Sequence, residues 1–293
     1  MADDIKNENG RVDIPMLCFD GAVSGEVSED FVLPDYMPEV SRILRLEYRA
    51  IPEGKYIGAG NLEFSGAVSY TVIYASGDSR ICSVSLSSSY EGKCEIPSDA
   101  RNLKVVTALE NATCRLLGPR KLSARSKLRT RVIAFSETEH TPCVQKGMRG
   151  VEVEYLMEKD GTKGLKFFEF RDIKLEDGME NVSGKPVFCS AVISVASATA
   201  QNDAIAVNGE VFLNVMLESA DSGYSSAVKR IPFERVIRAD GVKRGDKCHA
   251  EGVCVSASVG AREDGALGCD CSANIDLFAT ASAARDVAIC RDA

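Results

Sequence analysis

The residues best suited to chemistry are five that cluster late in the chain: Cys248, His249, Cys254, Cys269 and Cys271. Cys269 and Cys271 are two apart, so on a strand both face the same side. A turn at Arg262–Gly265 would then fold that strand back alongside Cys254. Thiolates converging in this way can hold zinc or close a disulfide. A CxC pair plus one further cysteine lacks the paired CxxC knuckles of a structural zinc site, so small buried hydrophobes are a third reading. The chain has eleven cysteines, an odd number spread too widely for a disulfide-stapled mini-domain, which favours reduced thiols. The weak metal candidates are Cys254, Cys269 and Cys271, and no cofactor is called for.

The second chemical feature is a row of charge. In Leu122–Val132, Arg125, Lys127, Arg129 and Arg131 alternate with apolar or small residues, with Arg115, Arg120 and Lys121 close by. On a strand, such spacing lines up one cationic face. It reads either as a docking edge for an acidic partner, including the acidic surface of another copy, or as a solvated face that discourages edge-to-edge pairing. Nucleic acid fits poorly, because aromatics are not interleaved with the row and the chain carries a formal net charge of −8.

Enzyme signatures are missing. There is no GxxxxGK[ST] loop, HExxH or GxSxG, and the two histidines, His140 and His249, leave few candidates for a general base. GAGNLEFSG at Gly58–Gly66 is glycine-rich but runs into a β pattern, without the helix N-terminus that would hold phosphate. The expectation is a non-enzymatic protein. Its opening MADDIKNENG is charged and polar, and no apolar run reaches a membrane span of roughly 18 residues. Synthesis in the cytoplasm without a signal peptide follows as an expectation. With 45% hydrophobic and 27% charged residues over 293 positions, the composition is that of a globular protein with a sizeable core.

The elements that would position these residues are strands. Between Leu62 and Tyr74 one parity carries Leu62, Phe64, Val68, Tyr70, Val72 and Tyr74; later, Ile205, Val207, Val211, Leu213, Val215 and Leu217 do the same. Alternation of this length predicts strands with one buried face. Turns are expected at Ser76–Ser79, around Pro119, around Gly161 and around Asp264. The one helix expected is short, over EVSRIL after Pro38, with Asp35 as its cap.

The chain also resembles itself. LPDYMPEVS from Leu33 aligns with LEDGMENVS from Leu175, an offset of 142. SGAVSYTVIYASGDS from Ser65 aligns with NGEVFLNVMLESADS from Asn208, and Tyr90-Glu91 with Phe233-Glu234, both at 143. LSARSKLRTRVIAF from Leu122 follows the pattern of LGCDCSANIDLFAT from Leu267, at 145. Such a constant register predicts two homologous units, 1–142 and 143–293, with the boundary near His140–Gly150. Each would have a leading hairpin, the LxDxMxxVS segment and a run of longer strands. The fold class expected is all-β: two tandem antiparallel sandwich or barrel-like units.

Two segments carry a resemblance. LPDYMPEVSRILRLEYR, followed some way on by CRLLGPRKLSARSKLRTRV, resembles the SipL-type SPOCS domain of spore-forming Firmicutes. The match rests on Leu33 to Pro38 and on Cys114, Arg115, Pro119, Arg120 and Lys121. The second unit departs from it, with Glu176, Gly178 and Glu180 at the positions aligned with Pro34, Tyr36 and Pro38. The resemblance implies a structural protein of the endospore coat or a related spore surface layer. It implies action through self-association, as a homo-oligomer or fibre, and through docking on other coat proteins. Family members commonly carry a C-terminal LysM module, of which IDLFATASAARDVAICRDA shows no sign. Tyr36 and Met37 are candidate anchors for a partner, beside the stripe Arg125, Lys127, Arg129 and Arg131. The alternative is a soluble binding module gripping a small ligand or metal between the β-units.

Overall fold

A computed structural model describes residues 12–58, 60–140, 157–180, 182–219, 223–261 and 268–290. Every regular element among them is a strand, so no helix there is long and apolar enough to cross a membrane. The strands are β1 (Val12–Val32), β2 (Val40–Gly58), β3 (Asn61–Ser76), β4 (Ile81–Glu95), β5 (Ala100–Gly118), β6 (Lys121–His140), β7 (Met157–Glu180), β8 (Lys185–Gln201), β9 (Ala204–Ser219), β10 (Gly223–Arg238), β11 (Lys247–Ala261) and β12 (Gly268–Cys290). They form four antiparallel three-stranded sheets, ordered β1-β6-β5, β2-β3-β4, β7-β12-β11 and β8-β9-β10.

The second six strands repeat the topology of the first. In each set the third and sixth strands are the middle strands, and the two sheets face one another, with β2 beside β5 and β1 beside β4, then β8 beside β11 and β7 beside β10. The expected boundary near residue 142 lies outside the described residues. The alternation read in β3 and β9 is what lines the cores: Leu62, Val68, Tyr70, Val72 and Tyr74 are fully buried, as are Ile205, Val207, Val211 and Leu213. Burial of each such aliphatic side chain contributes about 2 kcal/mol. The first six strands hold two apolar clusters and the second six hold one.

Three bulges also recur. Ile43/Arg45 and Pro186/Phe188 are 143 apart, as are Pro52/Gly54 and Val195/Ser197, and Leu109/Asn111 matches Cys254/Ser256 at 145. Gly66 and Gly209, also 143 apart, sit under Tyr90 and Phe233. A Cβ at Gly66 would collide with the Ile51 carbonyl and the Tyr90 ring, and one at Gly209 with the Ser194 carbonyl and the Phe233 ring. The aromatic ring occupies the space the glycine leaves open.

Several expectations are corrected. EVSRIL is the start of β2, with Val40 opposite Ser76 and Ile43 opposite Tyr74. Two bulges within five residues, Val40/Arg42 and Ile43/Arg45, slip the parity and hide the strand from a period-two reading. The leading hairpin is a single strand: β1 runs unbroken for 21 residues, with Gly21 opposite Val132 and Gly25 opposite Leu128. Pairing with β6 overrides the turn preference of those glycines. KDGTKG lies inside β7 and pairs with β12, where Gly161 meets Asp286. The turns at Ser76–Ser79 and around Pro119 form where the residues predict them; the turn around Asp264 lies outside the described residues.

The pairing also resets two alignments. LPDYMPE is the β1–β2 turn, whereas Leu175–Glu180 still belongs to β7. Leu122 faces Phe31 at the start of β6, and Cys269 faces Met179 at the start of β12. The counterpart of Leu122 is therefore Cys269, two residues past the one aligned.

Candidate interaction surfaces

The two segments that carry the family resemblance meet in one corner. The β1–β2 turn and the β5–β6 turn lie side by side, because Leu33 N–H donates to Arg120 O at 2.8 Å and Val40 N–H to Pro119 O at 2.7 Å. Arg120 clamps them. Its guanidinium donates to Met37 O at 3.1 Å and to Pro34 O, and it lies 3.8 Å from the Asp35 carboxylate. Beneath, the Tyr74 hydroxyl donates to Pro38 O at 3.1 Å. Burial above all, with Cys82 next to it, pushes that hydroxyl up to about 12. Asp35 therefore caps no helix; it is an exposed partner of Arg120.

The corner separates the two proposed anchors. Tyr36 stands 87% exposed at its tip. Met37 is half-buried and packs on the cluster of Leu33, Val40, Val72 and Tyr74, so its reading as an exposed anchor is corrected: the thioether closes the core under the turn. Exposed apolar side chains surround the same corner. Val32 is opposite Lys121, Leu116 is opposite Leu122, and Leu117 is the residue squeezed out by the Leu116/Gly118 bulge.

Arg125, Lys127, Arg129 and Arg131 all point outward, alternating with buried Ala124, Ser126, Leu128 and Thr130. Their strand is not an edge. β6 lies between β1 and β5, so the stripe runs down the middle of an outward sheet face and can meet a partner only face-on. Acids on the flanking strands satisfy part of it. Asp20 grips Arg131 through two bonds of 3.0 and 2.8 Å, which holds the Asp20 carboxyl below its ordinary range. Asp30 pairs with Lys121 at 2.8 Å, and Glu110 lies 3.9 Å from Arg129. Arg125 and Lys127 form no ion pair among the described residues.

The cysteines lie in the core of the second six strands. Cys254, Cys269 and Cys271 are 5%, 1% and 2% exposed, and all three are free thiols, as are Cys189 and Cys248. β11 and β12 do fold back on one another, but Cys254 faces Ile275, while Val259 and Ala261 face Cys271 and Cys269. Cys189 on β8 completes the group. Burial, reinforced by Cys271 and Cys254, pushes its thiol up to about 12; burial and Cys269 push Cys271 up to about 11. Buried protonated thiols are poor nucleophiles and poor ligands. His249 points away to Glu251 at 3.3 Å, and among the described residues no three His, Cys, Asp or Glu side chains are placed to hold a metal.

One arrangement was not read from the sequence: a charged seam between the two halves. Lys55 of β2 meets Glu169 of β7 at 2.6 Å, Glu169 meets Arg171 at 2.9 Å, and Arg171 reaches both Asp276 at 3.4 Å and the Pro52 carbonyl. Asp276 is buried and also accepts from Asp172 N–H at 3.0 Å. Burial pushes Glu169 up, but Lys55 and Arg171 outweigh it and hold the carboxyl below its ordinary range. Alongside lies a cavity of about 150 Å³ lined by Val105, Phe168, Val253 and Phe278 together with Lys55 and Lys104. The signal was the run Ile275, Asp276, Leu277, three consecutive buried residues in which Ile275 and Leu277 keep the inward parity and Asp276 is buried on the opposite side, at the seam. Opposite Asp276 the partner strand bulges, with Arg171 and Asp172 between the pairs Ile275–Ile173 and Leu277–Phe170.

No protein-family model matches the chain, and no curated protein or solved structure does.

Proposed function

We propose that the chain is a non-enzymatic structural protein of the endospore coat, or of a related spore surface layer or appendage, working by self-association and by docking on other coat proteins. The observation that supports this most is the clamped corner. Two segments about 80 residues apart, matching two separate elements of the SPOCS pattern, are joined by Arg120 into one support for an exposed Tyr36 and its apolar neighbours. A large aromatic side chain held out on a braced turn is the usual form of an interface anchor. On this reading the protein is made in the cytoplasm and deposited at the spore surface, and its two β-units are copies of one module with diverged faces.

Electron microscopy of the purified protein tests the proposal. Ordered fibres or sheets are expected, with Tyr36→Ala shortening or dispersing them. A field of single small particles at every concentration would contradict it. A second reading, a soluble binding module, is favoured by the seam cavity, whose size and apolar lining suit a small hydrophobic guest. A raised melting temperature in the presence of benzene or indole, lost in Val105→Trp, would support that reading.

A further inference from the structure

We infer that the outward face of β6 receives the outward face of β7 and β12 of a second copy of this chain. The inference deepens the assembly reading above and rests on it. β6 and β12 hold equivalent places, each the middle strand of its sheet, yet their outward rows differ in charge. β6 presents Arg125, Lys127, Arg129 and Arg131; β12 presents Asp270, Ser272 and Asn274, with Glu176 and Glu180 beside it on β7. Lys174 on that face is paired with Glu176 at 2.6 Å.

The charges left over on each face correspond. On β6 they are Arg125 and Lys127; on the other face Asp270 and Glu180 form no ion pair among the described residues. Arg125 and Lys127 are two residues apart on one strand, about 7 Å. Asp270 and Glu180 are one such step along and one strand across, since Asp270 faces Gly178 and Glu180 faces Gly268. That diagonal is about 8 Å, so one cation can meet each acid.

The surroundings permit close approach. Asp270 has glycine on both neighbouring strands, Gly178 and Gly260, and the next row holds Ser258 and Ser272, joined at 2.7 Å. Arg125 is flanked by Ser28 and Thr113. Lys127 is flanked by Glu26 and Asn111. The two long cationic side chains project toward a low surface bearing two acids. The contact joins unlike faces, so each molecule in it uses one face and keeps the other, unlike face available for a further copy.

The test is a charge swap followed by sedimentation velocity at low salt. Arg125→Glu with Lys127→Glu, and separately Asp270→Lys with Glu180→Lys, are expected to weaken self-association about tenfold or more each. An equimolar mixture of the two variants is expected to restore it, because every reversed face then meets a complementary one. Circular dichroism confirms folding; all four residues are exposed, so melting should be unchanged. If the wild-type chain assembles and either variant assembles equally well, or the mixture fails to recover, this contact is wrong while the assembly reading stands. A wild-type chain that stays monomeric overturns both.

Discussion

The two halves of the molecule share a topology and a set of bulges, and differ in where they place charge. In the first half the charges lie on the outside, along the β6 stripe, and the core is apolar with three tyrosines, Tyr70, Tyr74 and Tyr90. In the second half the equivalent strand carries Cys269 and Cys271 inward, holds the carboxylate of Asp276 on its outward side where the seam buries it, and elsewhere presents a small, acidic surface outward. What the halves keep in common is what the sandwich needs: the alternation of β3 and β9, the glycine beneath an aromatic, and matching bulges. Beyond the inward cysteines, what differs lies on outward faces and at the seam, where substitutions alter partners and leave the cores intact.

The largest effect that separates the halves should come from Asp276. Replacing it by alanine removes one carboxylate from Arg171 and leaves Asp172 N–H without its acceptor at a partly buried seam, and should cost about 3 kcal/mol in chemical denaturation. Arg129→Ala, on the exposed face of the equivalent strand, should cost less than about 0.5 kcal/mol. Similar losses would make the charge contrast between the halves energetically empty.

Next, Gly66→Ala and Gly209→Ala probe what the halves share. Each added methyl meets a backbone carbonyl and an aromatic ring, so each should destabilise by about 2 kcal/mol, within the range for overpacked sites. A large cost at one site alone would show that the aromatic–glycine pair is not an equivalent feature.

Arg120→Ala should have a smaller and local effect, about 1 to 2 kcal/mol from the lost charge-assisted bonds. Limited proteolysis should then cut the first half in the Pro34–Pro38 turn sooner than the wild type, with the second half unaffected.

The smallest effect is a pH dependence at the seam. Glu169 titrates below its ordinary 4.5 in the folded chain, so its stabilisation is complete above the unfolded value and disappears as pH falls through the folded one. The denaturation midpoint should decline on acidification below about pH 4, and less so in Glu169→Gln, the remainder coming from other depressed carboxyls such as Asp20, Asp30 and Asp177. An unchanged acid profile in Glu169→Gln would remove the seam from the pH response.

The sequence showed most clearly what depends on one strand alone. Period-two alternation identified the buried faces of β3, β9 and β6 residue by residue, because a strand's two faces follow from its own pleat. Bulges defeated the same reading at EVSRIL, where two slips of parity imitate a helical turn. The burial of Asp276 was illegible for another reason: it lies on the outward parity of β12, and only the seam covers it. Sheet order was not legible either. Nothing within Leu122–Val132 says that β1 and β5 flank it, so the stripe was read as an edge. The Arg120 clamp was out of reach for a related reason: its partners, Pro34 and Met37, are brought to it only by the pairing of β1 with β6.

The central claim is self-association through complementary charged faces, and sedimentation velocity of the wild-type chain over a wide concentration range, at low and high salt, tests it most directly. The account predicts species that grow with concentration at low salt and dissociate toward the monomer as salt screens the faces. A single monomeric boundary at every concentration and both salts would contradict it.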